Sequence, residues 1–226
     1  MAVDNLWISG HRLGIPLWRT PGDGTVLPMA PPDPADDALA AFEQVAAARR
    51  SSLLVDPEAA IAPELVDRLI RLAATAPNHK RTHPWRFRIF SGPARAALGD
   101  ALAQDLIDAG QPDARVDKAR TKYLRAPVVI AVAAAAGEDP TMTAENRDAV
   151  AAAIQTVLLG ATAAGLASYW STGAAMGSLR LREFCRFAET DTVVGLLYLG
   201  WPIGTPPPIE RPTPDSLHIG PSTPTP

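Results

Sequence analysis

Cysteine is nearly absent: Cys185 is the only one in 226 residues. A single thiol excludes an internal disulfide framework and any cysteine-cluster metal site, and it fits a reducing, cytoplasmic setting. Aromatic residues make up only 6 % of the chain. Neither sign of charge is in excess, since 21 Lys and Arg stand against 24 Asp and Glu for a formal net charge of -3. Bulk electrostatics therefore draws the chain neither to nucleic acid nor to an anionic membrane. The opening MAVDNLWISGHR carries an acid at Asp4 and no basic stretch leading into an apolar run, so no signal peptide is expected. The best candidate for a membrane span, 150–170, contains Gln155, Thr156, Thr162, Ser168, Gly160 and Gly165, and its apolar content is mostly Ala. It reads as a buried helix running into a strand, and no membrane role is expected. Internal repeats, a G-x-G-x-x-G fingerprint, a P-loop and a G-x-S-x-G elbow are all missing.

What is present is ordinary globular material, 47 % apolar and 20 % charged, enough for one domain with a large core. Proline marks its limits. Of 23 prolines, six lie before residue 35 and nine after residue 201. This predicts a proline-rich N-terminal arm over 1–35, a compact body over 36–203 and a proline-rich C-terminal arm over 204–226, its last residues disordered. The first arm carries Leu6, Trp7, Ile8, Leu13, Ile15, Leu17 and Trp18, too apolar for a solvated tail, and is expected to pack on the body or on a partner subunit.

Within the body, helical spacing and capping residues predict helices over 37–48 (Asp36 or Asp37 as cap), 63–74, 93–109, 113–123, 143–164 and 179–187. Strands are predicted over 85–90, 128–135, 167–171 and 193–199, the second and last as continuous apolar runs buried on both faces. Helices alternating with a few short strands indicate an α+β (α/β layered) fold.

Four constellations stand out. Arg49-Arg50-Ser51 leaves the first helix with two guanidiniums and a hydroxyl, which suit a phosphate or a polyol; equally, cations there favour the helix dipole. Ala76 to Phe87 (APNHKRTHPWRF) joins a helix to a strand between Pro77 and Pro84, and holds His79, Lys80, Arg81 and His83. So dense a donor set suits an anionic or hydrogen-bonding cofactor, or else is a solvated basic loop. As a metal site it is poor, because no acid lies within it. Gly165 to Gly173 (GLASYWSTG) leaves an Ala-rich helix, forms a short strand and ends in hydroxyl residues and a glycine that permits backbone to approach a planar ligand. Arg211 is a lone cation in the last arm. No Ser-His-Asp or Cys-His arrangement is evident, so covalent catalysis by the protein, and with it any catalytic side chain of that kind, is not expected.

Taken in order, these segments resemble the nitroreductase family of flavin mononucleotide enzymes. The resemblance rests on Arg49-Arg50-Ser51, Ala76-Pro77-Asn78-His79-Lys80, His83-Pro84-Trp85-Arg86-Phe87, Gly165-Leu166-Ala167, Leu199-Gly200-Trp201-Pro202 and Arg211, and runs from about residue 40 to residue 215. The Ala-Pro-x-His-Lys form is most similar to a compact bacterial branch. The resemblance implies a mixed central sheet flanked by helices, a homodimer with FMN at the subunit interface, and NADH or NADPH as co-substrate. It implies that Arg49 and Ser51 meet the flavin phosphate and ribityl chain with Arg50 close by, that His79 faces the flavin from its loop, that Trp170, Ser171 and Thr172 line the ring, and that Arg211 returns to the phosphate. The implied reaction moves hydride from NAD(P)H to a small acceptor such as a nitroaromatic or a quinone. A flavin-dependent oxidase or dehydrogenase that uses no nicotinamide, and a non-catalytic flavin-binding protein, are the alternatives. Two positions depart from the family: Leu53 stands where a Lys is frequent, and His83 where a Gln precedes Pro-Trp. The small residues of the 143–164 helix (Ala149, Ala152, Ala153, Gly160, Ala161 and Ala164) are expected to bring backbones close at the dimer interface.

Overall fold

The computed structural model describes residues 37–216. The N-terminal arm expected over 1–35 lies outside the described residues, as does the stretch 217–226 of the C-terminal arm. Six helices and four strands follow one another: α1 (Asp37–Ala48), α2 (Pro63–Ala73), β1 (Trp85–Ser91), α3 (Ala94–Asp108), α4 (Asp113–Lys122), β2 (Val128–Ala134), α5 (Pro140–Ala163), β3 (Ala167–Ser171), α6 (Leu179–Phe184) and β4 (Thr192–Gly200).

The strands form one sheet in the order β1-β2-β4-β3, and every neighbouring pair is antiparallel. Among the described residues, parallel pairing enters only through an isolated bridge between Ser51 and Ser168. β2 is buried along its whole length, so its two residue parities feed two separate cores, as a period of two requires. Val128, Ile130, Val132 and Ala134 meet α2 and α5 through Val66, Leu69, Val150, Ile154 and Val157. Val129, Ala131 and Ala133 meet α3, α6 and Tyr123 through Leu98, Leu102 and Leu181. The register of β4 on β2 shifts between Val132 and Ala133; the extra residue is Val194, and Gly195 follows it.

Most element limits fall within one residue of the sequence expectation, and two differ by three residues. α5 begins three residues earlier, because Asp139 caps it by accepting a hydrogen bond from the Met142 amide (2.8 Å) and Pro140 fits the first turn. α6 stops at Phe184, where Cys185 closes the helix and Arg186 turns to φ 50°.

The small residues of α5 serve this chain's own packing rather than only an interface. Ala149, Ala153 and Ala161 are buried in the core. A Cβ on Gly160 would come within 2.9 Å of Leu72 Cδ1 and 3.0 Å of Leu69 Cδ2, so this glycine lets α2 close on α5. α1 is different: it has no buried residue, and Leu39 and Phe42 are exposed.

Candidate functional site along strand β3

β3 is a short edge strand with candidate residues at both ends. At its beginning the chain leaving α1 lies alongside. Ser51 bridges Ser168, and the Ser52 amide donates to the Ser168 carbonyl (2.8 Å). Arg49-Arg50-Ser51 is thereby fixed beside the strand. The Arg49 guanidinium makes no hydrogen bond or ion pair among the described residues, whereas Arg50 donates from Nη1 to the Pro207 carbonyl (2.6 Å). Arg211 arrives at the same place from the tail. Its Nη1 donates to the Ala46 carbonyl (3.1 Å) and its Nη2 to the carbonyls of Ala47 (3.4 Å) and Arg49 (2.6 Å). Those are carbonyls at the end of α1, so the cation that favours this helix dipole is Arg211 from afar. Leu53, at the position where a lysine is frequent, is half-buried against the core on the α3 side of the sheet.

At the far end of β3, two to four residues or about 7–13 Å beyond Ser168 at strand rise, sit Trp170, Ser171 and Thr172. The Trp170 indole lies over Gly195, where a Cβ would come within 2.1 Å of Nε1, and that N–H is buried without a partner. Ser171 is buried and Thr172 exposed. Gly173 takes φ 124°, ψ -159°, a region essentially reserved for glycine. Beyond it lies a cavity of about 840 Å³ between α3, α4 and the β3–α6 connection. Ser171, Thr172 and Met176 line one side, Leu102 and Asp105 another, and Lys118, Lys122, Tyr123 and Arg125 the third. Burial, with Arg125 and Lys118 close by, pushes the Lys122 ammonium below its ordinary pKa of 10.5. Burial pushes the Tyr123 phenol up to about 12, tempered by Arg125.

The His79 loop is elsewhere. It leads into β1, the opposite edge of the sheet from β3, three strand spacings or about 14 Å away. Within one chain the structure therefore brings Arg49, Arg50, Ser51 and Arg211 together, strings Trp170 to Thr172 along the same strand, and leaves His79 apart. The loop itself is tightly specified. Lys80, Arg81 and His83 all adopt left-handed backbone, at φ 55°, 53° and 48°, which is uncommon outside glycine. Asn78 Oδ1 accepts from the His83 amide (2.8 Å), and Thr82 Oγ1 donates to Asn146 Oδ1 (2.6 Å). Asn146, buried in α5, holds the Ala135 carbonyl through Nδ2 (3.1 Å). His79 Nδ1 meets Glu145 Oε2 at 2.8 Å. The side chains of Lys80, Arg81 and His83 have no polar partner among the described residues.

Three features escaped the sequence reading. Glu145 and Asn146 support the loop from a helix 60 residues downstream, and no local signal announces that. The cavity cations do carry a signal: Arg115, Lys118 and Lys122 recur at intervals of three and four on α4, one face of a helix. Among the described residues no three of His, Cys, Asp and Glu group as a metal site would require, and no helix is long and apolar enough to cross a membrane.

The fold and strand-edge site define a class, and comparison with known proteins identifies it. The chain belongs to the nitroreductase family, whose model matches residues 46–201. It is 34 % identical over 163 residues to YdjA of Escherichia coli (strain K12), which bears the name of an NAD(P)H nitroreductase; the match spans 72 % of this chain and 88 % of that one. Among solved structures it is similar to a nitroreductase-like family protein from Bacillus cereus, with a TM-score of 0.69 at 24 % identity over 76 % of this chain and 91 % of the other. It also shares its fold with the FMN-dependent nitroreductase NfnB of Mycobacterium smegmatis, solved in complex with NADPH, with a TM-score of 0.62 at 19 % identity over 74 % of this chain and 90 % of the other. The protein is thus an oxidoreductase of a family that depends on FMN and takes electrons from NAD(P)H.

Proposed function

We propose that the protein passes hydride from NADH or NADPH to a small acceptor, such as a nitroaromatic or a quinone, with FMN held along β3. The observation that carries this reading is the Ser51–Ser168 bridge. It seats Arg49-Arg50-Ser51 at the beginning of the strand that runs on to Trp170, Ser171 and Thr172. The donors suit the group. Arg49 has a guanidinium with no protein partner among the described residues, Ser51 is exposed, and both residue types hold phosphate well. Gly173 lets backbone approach a planar ring.

Bound there, FMN supplies a two-electron carrier, and the protein supplies position and electrostatics. Arg49 and Ser51 hold the phosphate and ribityl end, with Arg50 close by. Trp170, Ser171 and Thr172 flank the ring. Arg211 fixes the end of α1, from which Arg49 departs. With Leu53 turned toward the core, the position where relatives carry a lysine offers no charge to the ring.

The same reading calls for a homodimer. α1 exposes Leu39 and Phe42, an apolar stripe that needs cover. His79 and its neighbours stand too far from β3 in one chain and reach a flavin only from a second copy. The working unit is the body, residues 36–203, followed by the C-terminal arm, 204–226, whose Arg211 ties back to the end of α1, and a lone buried Cys185 accords with the cytoplasm.

Loss of a charge-assisted phosphate contact costs about 1.5–3 kcal/mol, or roughly one to two decades in affinity. Arg49→Ala should weaken FMN binding by that much, measured by fluorescence titration of the deflavinated protein, with the melting temperature of the apo form unchanged. Equal FMN affinity in the variant and the parent contradicts the assignment.

A further inference from the structure

We propose that the cavity beside Ser171 and Thr172 is an anion-selecting co-substrate pocket, which takes a carboxylate or phosphate carried on an apolar or aromatic body. The inference rests on the reading of Ser171 and Thr172 as flanks of the flavin ring, and adds to it the chemical class of what meets that ring.

The size is the first observation. About 840 Å³ falls within the range of small-molecule sites, roughly 300–1,000 Å³. The charge balance is the second. Four cations, Arg115, Lys118, Lys122 and Arg125, line the cavity against one carboxylate, Asp105. That carboxylate is already engaged, since Arg180 Nε pairs with Oδ1 at 3.3 Å and the Ser178 hydroxyl donates to Oδ2. The acid in the middle of α4, Asp117, is paired with Arg120 (3.2 Å). Among the described residues, none of the four cations lies in an ion pair. Arg115 donates to Gln111, Arg125 Nε donates to the Lys122 carbonyl (3.1 Å), and Lys122 Nζ rests 5.7 Å from the Tyr123 ring centroid. The positive charge is therefore uncompensated on one wall of a partly enclosed space, with Lys122 half-buried and Arg115, Lys118 and Arg125 exposed, and a concave wall lined by one sign of charge focuses its pull on an anion. Burial first, and then the neighbouring Arg125 and Lys118, holds the Lys122 ammonium below its ordinary pKa.

The third observation is the apolar lining. Leu102, Leu106 and Met176 offer apolar contact on the other walls, and the Tyr123 ring offers it beside the cations. Tyr123 is held in place by stacking on Tyr198, with centroids 6.4 Å apart. A fully hydrated inorganic anion gains nothing from that lining, whereas an aromatic carboxylate or a phosphorylated nucleotide uses the cations and the apolar lining at once.

The test uses the flavin-loaded, full-length protein in its oxidised form, with calorimetric titration of four probes that do not react with it: p-nitrobenzoate, nitrobenzene, NADP+ and NAD+. The variant is Lys118→Gln/Lys122→Gln. In the parent, at least one anion should bind roughly tenfold or more tightly than its less charged counterpart, and added salt should erode the difference. In the variant that preference should vanish while flavin content is unchanged. A preference for p-nitrobenzoate over nitrobenzene identifies the acceptor as the anion; a preference for NADP+ over NAD+ identifies the nicotinamide donor. Two results overturn the proposal. One is equal affinity of parent and variant for both anions. The other is loss of FMN from the variant, which would make the cavity part of the flavin phosphate site. Anion affinity untouched by the variant in a protein that still binds FMN and is reduced by NAD(P)H defeats this inference alone and leaves the broader function standing.

Discussion

Arg95 shows how a charge survives inside this fold. It is 9 % exposed and, among the described residues, has no carboxylate partner. Instead its Nη1 donates to the carbonyls of Ala126 (2.8 Å), Pro57 (3.2 Å) and Leu124 (3.4 Å), and its Nε to Gly92 (3.2 Å). One side chain ties the start of α3 to the entry of β2 and to the loop after Val55. Arg95→Ala should strand those carbonyls and cost about 2–3 kcal/mol, read from chemical denaturation; a loss below half of that would show the carbonyls find other donors. Cys185 is the converse case, a neutral group kept neutral. Burial pushes its thiol from 9.0 up to about 12, with Arg88 pulling slightly the other way. A raised folded pKa contributes stability that is complete below the unfolded value and is lost as pH rises through the folded one. Stability should therefore fall between about pH 9 and 12, with Tyr123, raised from 10.0 to about 12, adding to the upper part. Lys122, held low, works in the opposite sense as it loses its proton. Ellman's reagent should leave Cys185 untouched at mildly alkaline pH until the protein unfolds; prompt labelling of the native protein would contradict the burial.

At the scale of elements, the strands were the most legible part. β2 and β4 are unbroken apolar runs, and the sequence needs nothing else to declare them buried on both faces. The four constellations were legible as chemistry, but their grouping was not. Nothing local says that Ser51 bridges Ser168, or that the His79 loop opens onto the far edge of the sheet. The left-handed backbone at Lys80, Arg81 and His83 defies residue preference, because Asn78, Thr82 and Asn146 impose it from around the loop. Arg211 looked like surface, since only the folded tail brings it to the end of α1. Arg211→Ala should let that end fray, lowering the melting temperature even without flavin, by about 1 kcal/mol of stability. If the loss appears only in the flavin-loaded form, Arg211 acts on the phosphate directly. Gly195 tests the other end of β3. A methyl there would overlap Trp170 Nε1 at 2.1 Å, so Gly195→Ala should displace the indole at a cost of about 1–3 kcal/mol. Flavin affinity should fall with it, and unchanged flavin binding would remove Trp170 from the site.

At the scale of the molecule, the proposed reading has one chain present half of each of two sites, the phosphate and ring positions on the β3 edge and the His79 loop on the opposite edge, while α1 leaves Leu39 and Phe42 exposed. Light scattering at micromolar concentration should return twice the chain mass, and a monomer would leave His79 without a flavin to face. The central claim is that this arrangement holds FMN and reduces it with a nicotinamide. The most direct test is an anaerobic titration of the purified protein with NADPH and, separately, NADH, followed in the visible absorbance. The account predicts a yellow protein whose flavin band bleaches with about one equivalent of at least one of the two donors per bound flavin. A colourless protein that takes up no added FMN, or a yellow one that neither donor bleaches, would contradict it.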